Sequence, residues 1–474
     1  MRQATPPPLD PAAAWEPWIP GPGDPWSLEW AGHLHRRAAF GASWPELQDA
    51  LRRGPGAAVD ALLSGGEGYE GFDRLMDELA PVGPEQFGGG PPNDGGLQAW
   101  WLYRILHTPH PLRERMTLFW HDHFATSIAK VRRPAAMKAQ NLLIRRHALG
   151  SFRPFLLEMS RDPAMLAWLD SNSNVRGRPN ENFARELMEL FSLGVGRYAE
   201  ADVREAARAF TGWHTDGSTF TPNRLQHDDG PKTILGQTGP WDGADVVRIV
   251  LDQPAAAHFL VRKLYRQFIS EAAIPPTPLL EPLAERFRGS DYDVGDLVGT
   301  MLRSRLFYSD HARRRRVKGP VEFVAGIFRS LGGRLPGAGP APPPAGLLDG
   351  LGQTLFAPPN VKGWPGGESW LNTATLLARH NLAWKLVQGP QGPLGARVDP
   401  PALLREHAGG ARGTAAIDFL LDLLLQPSAG EIAPRARDEL ARFLAEGEPK
   451  GVALDRRLRE ATHAILTMPE YQLA

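Results

Sequence analysis

The sequence predicts a mainly α-helical protein: a single large multi-helical globular fold with a small β-hairpin insertion near residues 215–240 and long Gly/Pro-rich loops. Three observations point there. Apolar residues recur at steps of three and four over most of the chain. Helix-start signals stand in front of several of these stretches, such as Ser43 with Glu46 three residues on, Pro111, and Asp162-Pro163. Only between about 219 and 235 does the pattern change to alternation of period two.

Composition sets the outer limits. The 474 residues can bury one large core or two to three smaller ones. At 42% hydrophobic and 22% charged residues the chain belongs with ordinary globular proteins and not with disordered ones. Acidic and basic residues balance at 53 each, so no global field holds nucleic acid or an anionic membrane. The absence of cysteine excludes disulfides, thiolate zinc sites, iron–sulfur clusters and a cysteine nucleophile. The first residues lack the apolar segment of a secretory signal, and no stretch reaches the roughly 18 apolar residues of a membrane helix. The expectation is a soluble, cytoplasmic protein.

Residues 1–28 read as an extended Pro/Trp-rich arm with Trp15, Trp18 and Trp26 as anchors. Helices follow from His33 to Arg53, with His33, His35 and Arg36 read as helix-end residues. After a Gly/Pro-rich loop at 81–96, a long helix is expected through Pro111, with Leu112, Met116, Phe119, Trp120 and His123 on one stripe. His121 is about 200° from His123 on such a helix, so the two rings share a face only if the helix has already ended. His123 is either a core histidine or half of a metal-binding pair.

Lys138–His147 and Phe152–Met159 read as amphipathic helices, and the polar run Asp170–Asn180 as a turn on a surface or at a cleft. A helix then runs to Gly194, carrying a polar stripe of Asn182, Arg185, Glu186, Glu189 and Ser192. Glu186 and Glu189 are neighbours at i and i+3. They suit metal ligation or an acid/base pair, or a solvated face paired with arginines. Past a helix from Glu200 to Trp213, strands are expected at Thr219–Leu225 and Lys232–Leu235 around the turn Asp228-Asp229-Gly230-Pro231, which gathers His227, Asp228 and Lys232. Gly236-Gln-Thr-Gly239 reads as a turn.

Val246–Ser270 is helical around a break at Pro254, with Arg262, Lys263 and Arg266 on a solvated or carboxylate-pairing face. The run Arg313–Arg316 reads as an exposed helix start, with phosphate contact as the alternative. These signals divide the chain into the arm 1–28, a main helical domain 29–334 with the candidate site, a linker-like loop 335–346, and a C-terminal helical region 347–474 packed on the main domain.

The chain resembles the bacterial family known as domain of unknown function 1800. The resemblance lies in His35-Arg-Arg-Ala-Ala-Phe-Gly-Ala, Phe119-Trp-His-Asp-His-Phe, Pro179-Asn-Glu-Asn-Phe-Ala-Arg-Glu-Leu-Met-Glu-Leu-Phe, Ala209-Phe-Thr-Gly-Trp, His227-Asp-Asp-Gly-Pro-Lys-Thr-Ile-Leu-Gly and Pro358-Pro-Asn-Val-Lys-Gly-Trp-Pro. It attaches no activity. It implies an export signal in many relatives, and as a partner a second protein resembling a sulfatase or alkaline phosphatase family protein.

Two functions follow. The first is a metal-dependent enzyme, hydrolysis foremost, in which His121, His123, Glu186 and Glu189 hold a divalent zinc, manganese or iron. Glu186, Glu189, His227, Asp228 and Lys232 would carry its chemistry, while Asn180, Asn182 and Arg185 would bind substrate. The second is a non-catalytic binding or assembly protein for an envelope polymer or a partner protein, with Trp364, Trp370 and the N-terminal tryptophans as contact residues.

Overall fold

A computed structural model describes residues 10–78, 94–272, 274–333, 347–388 and 398–474. The fold is mainly α-helical, and among the described residues the one sheet is a two-stranded antiparallel hairpin. The loop read at 81–96 lies largely, and the linker 335–346 wholly, outside the described residues. No helix among those described is long and apolar enough to cross a membrane.

The helix Pro111–His123, here the central helix, sits at the junction of two hydrophobic cores. Leu112, Met116 and Trp120 pack into the first, with Phe124, Phe152, Phe155 and Phe191. Leu118 packs into the second, which gathers Trp101, Ile105, Val321–Leu331 and the apolar residues of the C-terminal helices up to Leu466. A helix wedged between two cores has no solvated face, so its polar residues must be satisfied internally. Glu114 is therefore buried between Arg145, Arg104 and the Trp101 indole, which donates to its Oε2 at 3.1 Å. Burial alone raises this carboxyl, but Arg145 and Arg104 outweigh it and hold the group at about 2.

The arm follows its reading in part. Trp15 and Trp26 donate their indole N–H to the carbonyls of Leu279 (2.7 Å) and Ala50 (3.1 Å), and Trp18 lies 4.6 Å from the Tyr308 ring. Residues 1–9 of the arm lie outside the described residues, and one turn of helix, Pro11–Ala14, opens the part that is described. The capping box at Ser43 and Glu46 is present. His33 does not end a helix: it lies inside Leu28–Ala38, fully buried, with its Nε2 3.0 Å from the Phe307 carbonyl.

The hairpin is shifted from its expected place. Lys232–Ile234 pairs with Gln237–Gly239, register Lys232 to Gly239, through a turn at Leu235 and Gly236 with φ of 49° and 82°. Two successive positive φ values suit the tight turn of a two-residue hairpin, so Gly236 supplies the turn and Gln237 onward supplies the strand. The Asp228–Pro231 segment is shaped by side chains instead. Asp228 takes Arg208 at 2.8 Å, and Lys232 Nζ donates to the carbonyls of Asp228 (2.5 Å) and Gly230 (3.0 Å).

The arginine run also departs from its reading. It lies in a turn before the helix Pro320–Ser330 and is mostly half-buried and paired: Arg313 with Glu29 and Glu431, Arg314 with Glu431, and Arg316 with Glu322.

Candidate functional site: a basic pocket under a glycine-rich loop

The central helix continues through His123, so the two histidines point to different cores. His121 is boxed by Trp101, Phe356 and Trp364 at ring distances of 4.9, 5.5 and 5.8 Å. Neither of its nitrogens has a hydrogen-bond partner among the described residues, and burial presses its pKa down to about 3. His123 faces the other core. Its Nε2 lies 3.1 Å from the Phe191 carbonyl, which fixes the proton there and leaves Nδ1 to accept from Lys263 Nζ at 2.8 Å. Burial, with Lys263 beside it, holds this ring well below the usual histidine range.

The remaining expected site residues stand elsewhere and mostly have partners. The helix Asn182–Glu186 passes into a π-helical segment, Leu187–Ser192, whose wider turn carries Ser192 off the polar stripe and into the core. Glu186 and Glu189 remain neighbours: burial first, then Glu189, raises the Glu186 carboxyl, while Lys362 lowers it. Glu189 accepts from the Tyr198 hydroxyl at 3.0 Å, and Arg185 pairs with Glu181 and Glu200 rather than with either. Asn180 donates to Ser173 Oγ at 2.7 Å and caps the turn through its Oδ1, which accepts from Asn182 N. His227 binds the Thr211 carbonyl with Nδ1 at 2.9 Å. The expected ligand set of His121, His123, Glu186 and Glu189 is therefore not assembled. Among the described residues, no three His, Asp or Glu side chains stand close enough to share an ion.

What the fold does assemble is a pocket of about 380 Å³ against the central helix. Arg115, Phe119 and Asp122 line it from that helix at steps of three and four. Lys263, Arg266 and Gln267 line it from the helix Pro254–Phe268, with Glu271 just beyond. Arg316 and Glu322 come from the turn and first turn of Pro320–Ser330, and the loop 362–370 covers it with Lys362, Trp364 and Trp370. Of the expected binding and contact residues, Trp364 and Trp370 are walls of this pocket; both are 7% exposed, so neither is an outward contact.

The loop is tied down at one point. The Trp364 amide donates to Asp122 Oδ1 at 2.7 Å, and Gly363, at φ 82°, passes directly over that carboxyl. Burial raises the Asp122 carboxyl to about 6, against the lowering effect of the Trp364 amide and Lys263. Lys263 moves the other way: burial brings its amine down to about 8.

Five basic side chains face three carboxyls here: Arg115, Lys263, Arg266, Arg316 and Lys362 against Asp122, Glu271 and Glu322. Glu322 is fully engaged, with Arg115 at 2.6 Å, Arg316 at 2.7 Å and the Gly319 amide at 3.0 Å, and these charges hold it at about 2 despite burial. Glu271 accepts from the Val317 amide at 2.9 Å. Gln267, its amide turned so that the oxygen faces Arg115, accepts from Arg115 Nε at 2.8 Å. Among the described residues, Lys263, Arg266 and Lys362 make no ion pair with any carboxylate.

Sequence reasoning named the histidines that flank Asp122 and passed over Asp122 itself, and it placed Lys263 and Arg266 on a solvated or carboxylate-pairing face. The usable signal was the 115, 119, 122 spacing on the central helix, which sets an arginine, an aromatic and a carboxyl on one side. Arg316, Glu271 and Glu322 reach the pocket only through tertiary packing.

The family model described as "Protein of unknown function (DUF1800)" matches residues 33–473. The chain belongs to this family. No curated protein and no solved structure matches it. Two of the phrases that carried the resemblance, Phe119–Phe124 and Pro358–Pro365, meet in the pocket through the bond between Asp122 and Trp364.

Proposed function

We propose that this DUF1800 protein binds a small ligand with an anionic group, of the phosphate or sulfate type, in the pocket beneath the loop 362–370. The carrying observation is the surplus of cations: five basic side chains line the cavity against three carboxyls, and among the described residues Lys263, Arg266 and Lys362 make no direct ion pair, with Asp122 near Lys263 and Glu186 near Lys362 as their only carboxylate influence. Cations left in a concave, partly desolvated space strengthen their attraction for an incoming anion. The site is a binding pocket, in line with the second function expected from the sequence, but its aromatics act as walls rather than as an exposed docking face.

Isothermal titration with inorganic phosphate and sulfate tests this. Binding is expected in the micromolar to millimolar range, weakened about tenfold or more in the Arg266→Ala/Lys362→Ala double variant, where both side chains are exposed. Absence of heat for either anion up to about 10 mM would overturn the proposal.

A hydrolase working in the same pocket is the second reading, favoured by Asp122 and Lys263, whose pKa values of about 6 and about 8 bracket neutral pH. Turnover of p-nitrophenyl phosphate that disappears in Asp122→Asn while phosphate still binds would support it; equal turnover in both proteins would reject it. The partner resembling a sulfatase or alkaline phosphatase family protein belongs to this proposal too, as a source or recipient of such an anion, and is tested by co-purification.

A further inference from the structure

The pocket has hydrogen-bonding capacity that an isolated anion does not use. Gln353 is 7% exposed, and its Oε1 is committed to the Val321 amide at 3.0 Å, which leaves its amide nitrogen as a donor at the pocket wall. Trp364 and Trp370 line the same wall, and among the described residues neither indole N–H has a hydrogen-bond acceptor. Neither indole nitrogen is sealed in the interior without a partner, so each is open to solvent. A ligand oxygen placed there takes the place of water as the acceptor of a donor the protein leaves unused.

Acceptors are present as well. Glu271 spends one oxygen on the Val317 amide and turns the other toward Gly367, at the rim of the covering loop. Asp122 spends Oδ1 on the Trp364 amide. Each keeps a carboxylate oxygen able to take a hydroxyl proton. Phe119, Trp364 and Trp370 give apolar ring surface between these groups. The cavity, at about 380 Å³, is near the lower end of the range for ligand pockets and matches one ring with substituents rather than a polymer segment of several units.

Cations at one side, donors and acceptors interspersed with aromatic walls at the other, and room for a single ring together define a ligand. Resting on the anion-binding reading above, we propose that the ligand is a hydroxylated ring of monosaccharide size that carries a phosphate or sulfate group. The anion sits among Lys263, Arg266 and Lys362, and the ring lies against Trp364 and Trp370 with its hydroxyls on Gln353 and Glu271. The polymer named as an alternative from the sequence would reach this pocket only by one terminal unit.

The test is titration of the intact chain with glucose 6-phosphate, N-acetylglucosamine 6-phosphate, glucose 6-sulfate, glucose and inorganic phosphate. At least one of the anionic sugars is expected to bind ten times or more tighter than inorganic phosphate, with glucose alone the weakest. Gln353→Ala and Trp370→Phe should each reduce that advantage threefold or more and leave inorganic phosphate affinity within twofold. Saturation-transfer NMR should show ring protons of the bound sugar receiving magnetisation from the protein, a readout independent of any loss of stability in the variants. Inorganic phosphate binding as tightly as every anionic sugar would overturn this inference and leave the anion pocket standing. Failure of all the anions to bind would overturn both.

Discussion

Replacing Gly363 by alanine is expected to undock the loop that covers the pocket. A Cβ at this position would overlap Asp122 Oδ1 and lie 2.6 Å from the Asp122 backbone oxygen, which no side-chain rotation can move aside. The φ of 82° is itself unfavourable for alanine, by about 1–2 kcal/mol. Relief of the overlap moves the loop away and breaks the bond from the Trp364 amide to the Asp122 carboxyl, worth about 1.5–3 kcal/mol for a charged acceptor. Together the two effects amount to about 2.5–5 kcal/mol, or at least roughly a hundredfold in the equilibrium between docked and open loop. Native-state hydrogen exchange measures this directly. The Trp364 amide should lose roughly a hundredfold in protection in Gly363→Ala while amides of the central helix keep theirs. Gly236 is the control, since its φ of 82° is similar but nothing lies within 4 Å of its would-be Cβ. Gly236→Ala should cost only about 1 kcal/mol, confined to the hairpin. Unchanged Trp364 protection in Gly363→Ala would refute the view that Asp122 and Gly363 hold the loop closed.

Three further outcomes follow from the same structure. Glu114→Gln should destabilise the chain by about 3–5 kcal/mol in urea unfolding, because it leaves the buried Arg145 without its counter-charge, while Arg104 keeps Asp73 and Asp77; a loss below about 1 kcal/mol would contradict that role. The Asp122 carboxyl, lifted from 3.8 to about 6 chiefly by burial, keeps a proton in the folded protein that the unfolded chain releases, so its contribution to stability falls as pH rises through that interval. Asp122→Asn should remove that fall, and parallel pH profiles of thermal midpoint for the two proteins would show otherwise. Trp120→Ala, at a fully buried position stacked on Phe124 and Phe152, should cost about 3–5 kcal/mol, seen as a large drop in thermal midpoint.

The sequence by itself determined the mainly helical class, the capping of Trp44–Arg53 by Ser43 and Glu46, the stop at Gly194, and the membership that residues 33–473 establish. These are local matters: period, caps and positive φ depend on residues a few positions apart. The hairpin shows where locality misleads. Asp228-Asp229-Gly230-Pro231 has the composition of a turn, yet the tight turn is Leu235-Gly236, because Arg208 from a preceding helix and Lys232 organise the acidic segment instead. The histidine pair could share a face only if the helix ended before it; the helix runs through His123, and what each ring meets was decided by two cores that close from opposite sides. The pocket was decided only in three dimensions. Asp122, Lys263, Arg316 and Trp364 are spread over 243 positions of the sequence, and no local period joins them. They meet because the central helix is buried between two cores. The helix Pro254–Phe268, the arginine turn and the loop over Gly363 all pack against its Arg115–Asp122 side, and the charge they bring has nowhere to go but into one cavity.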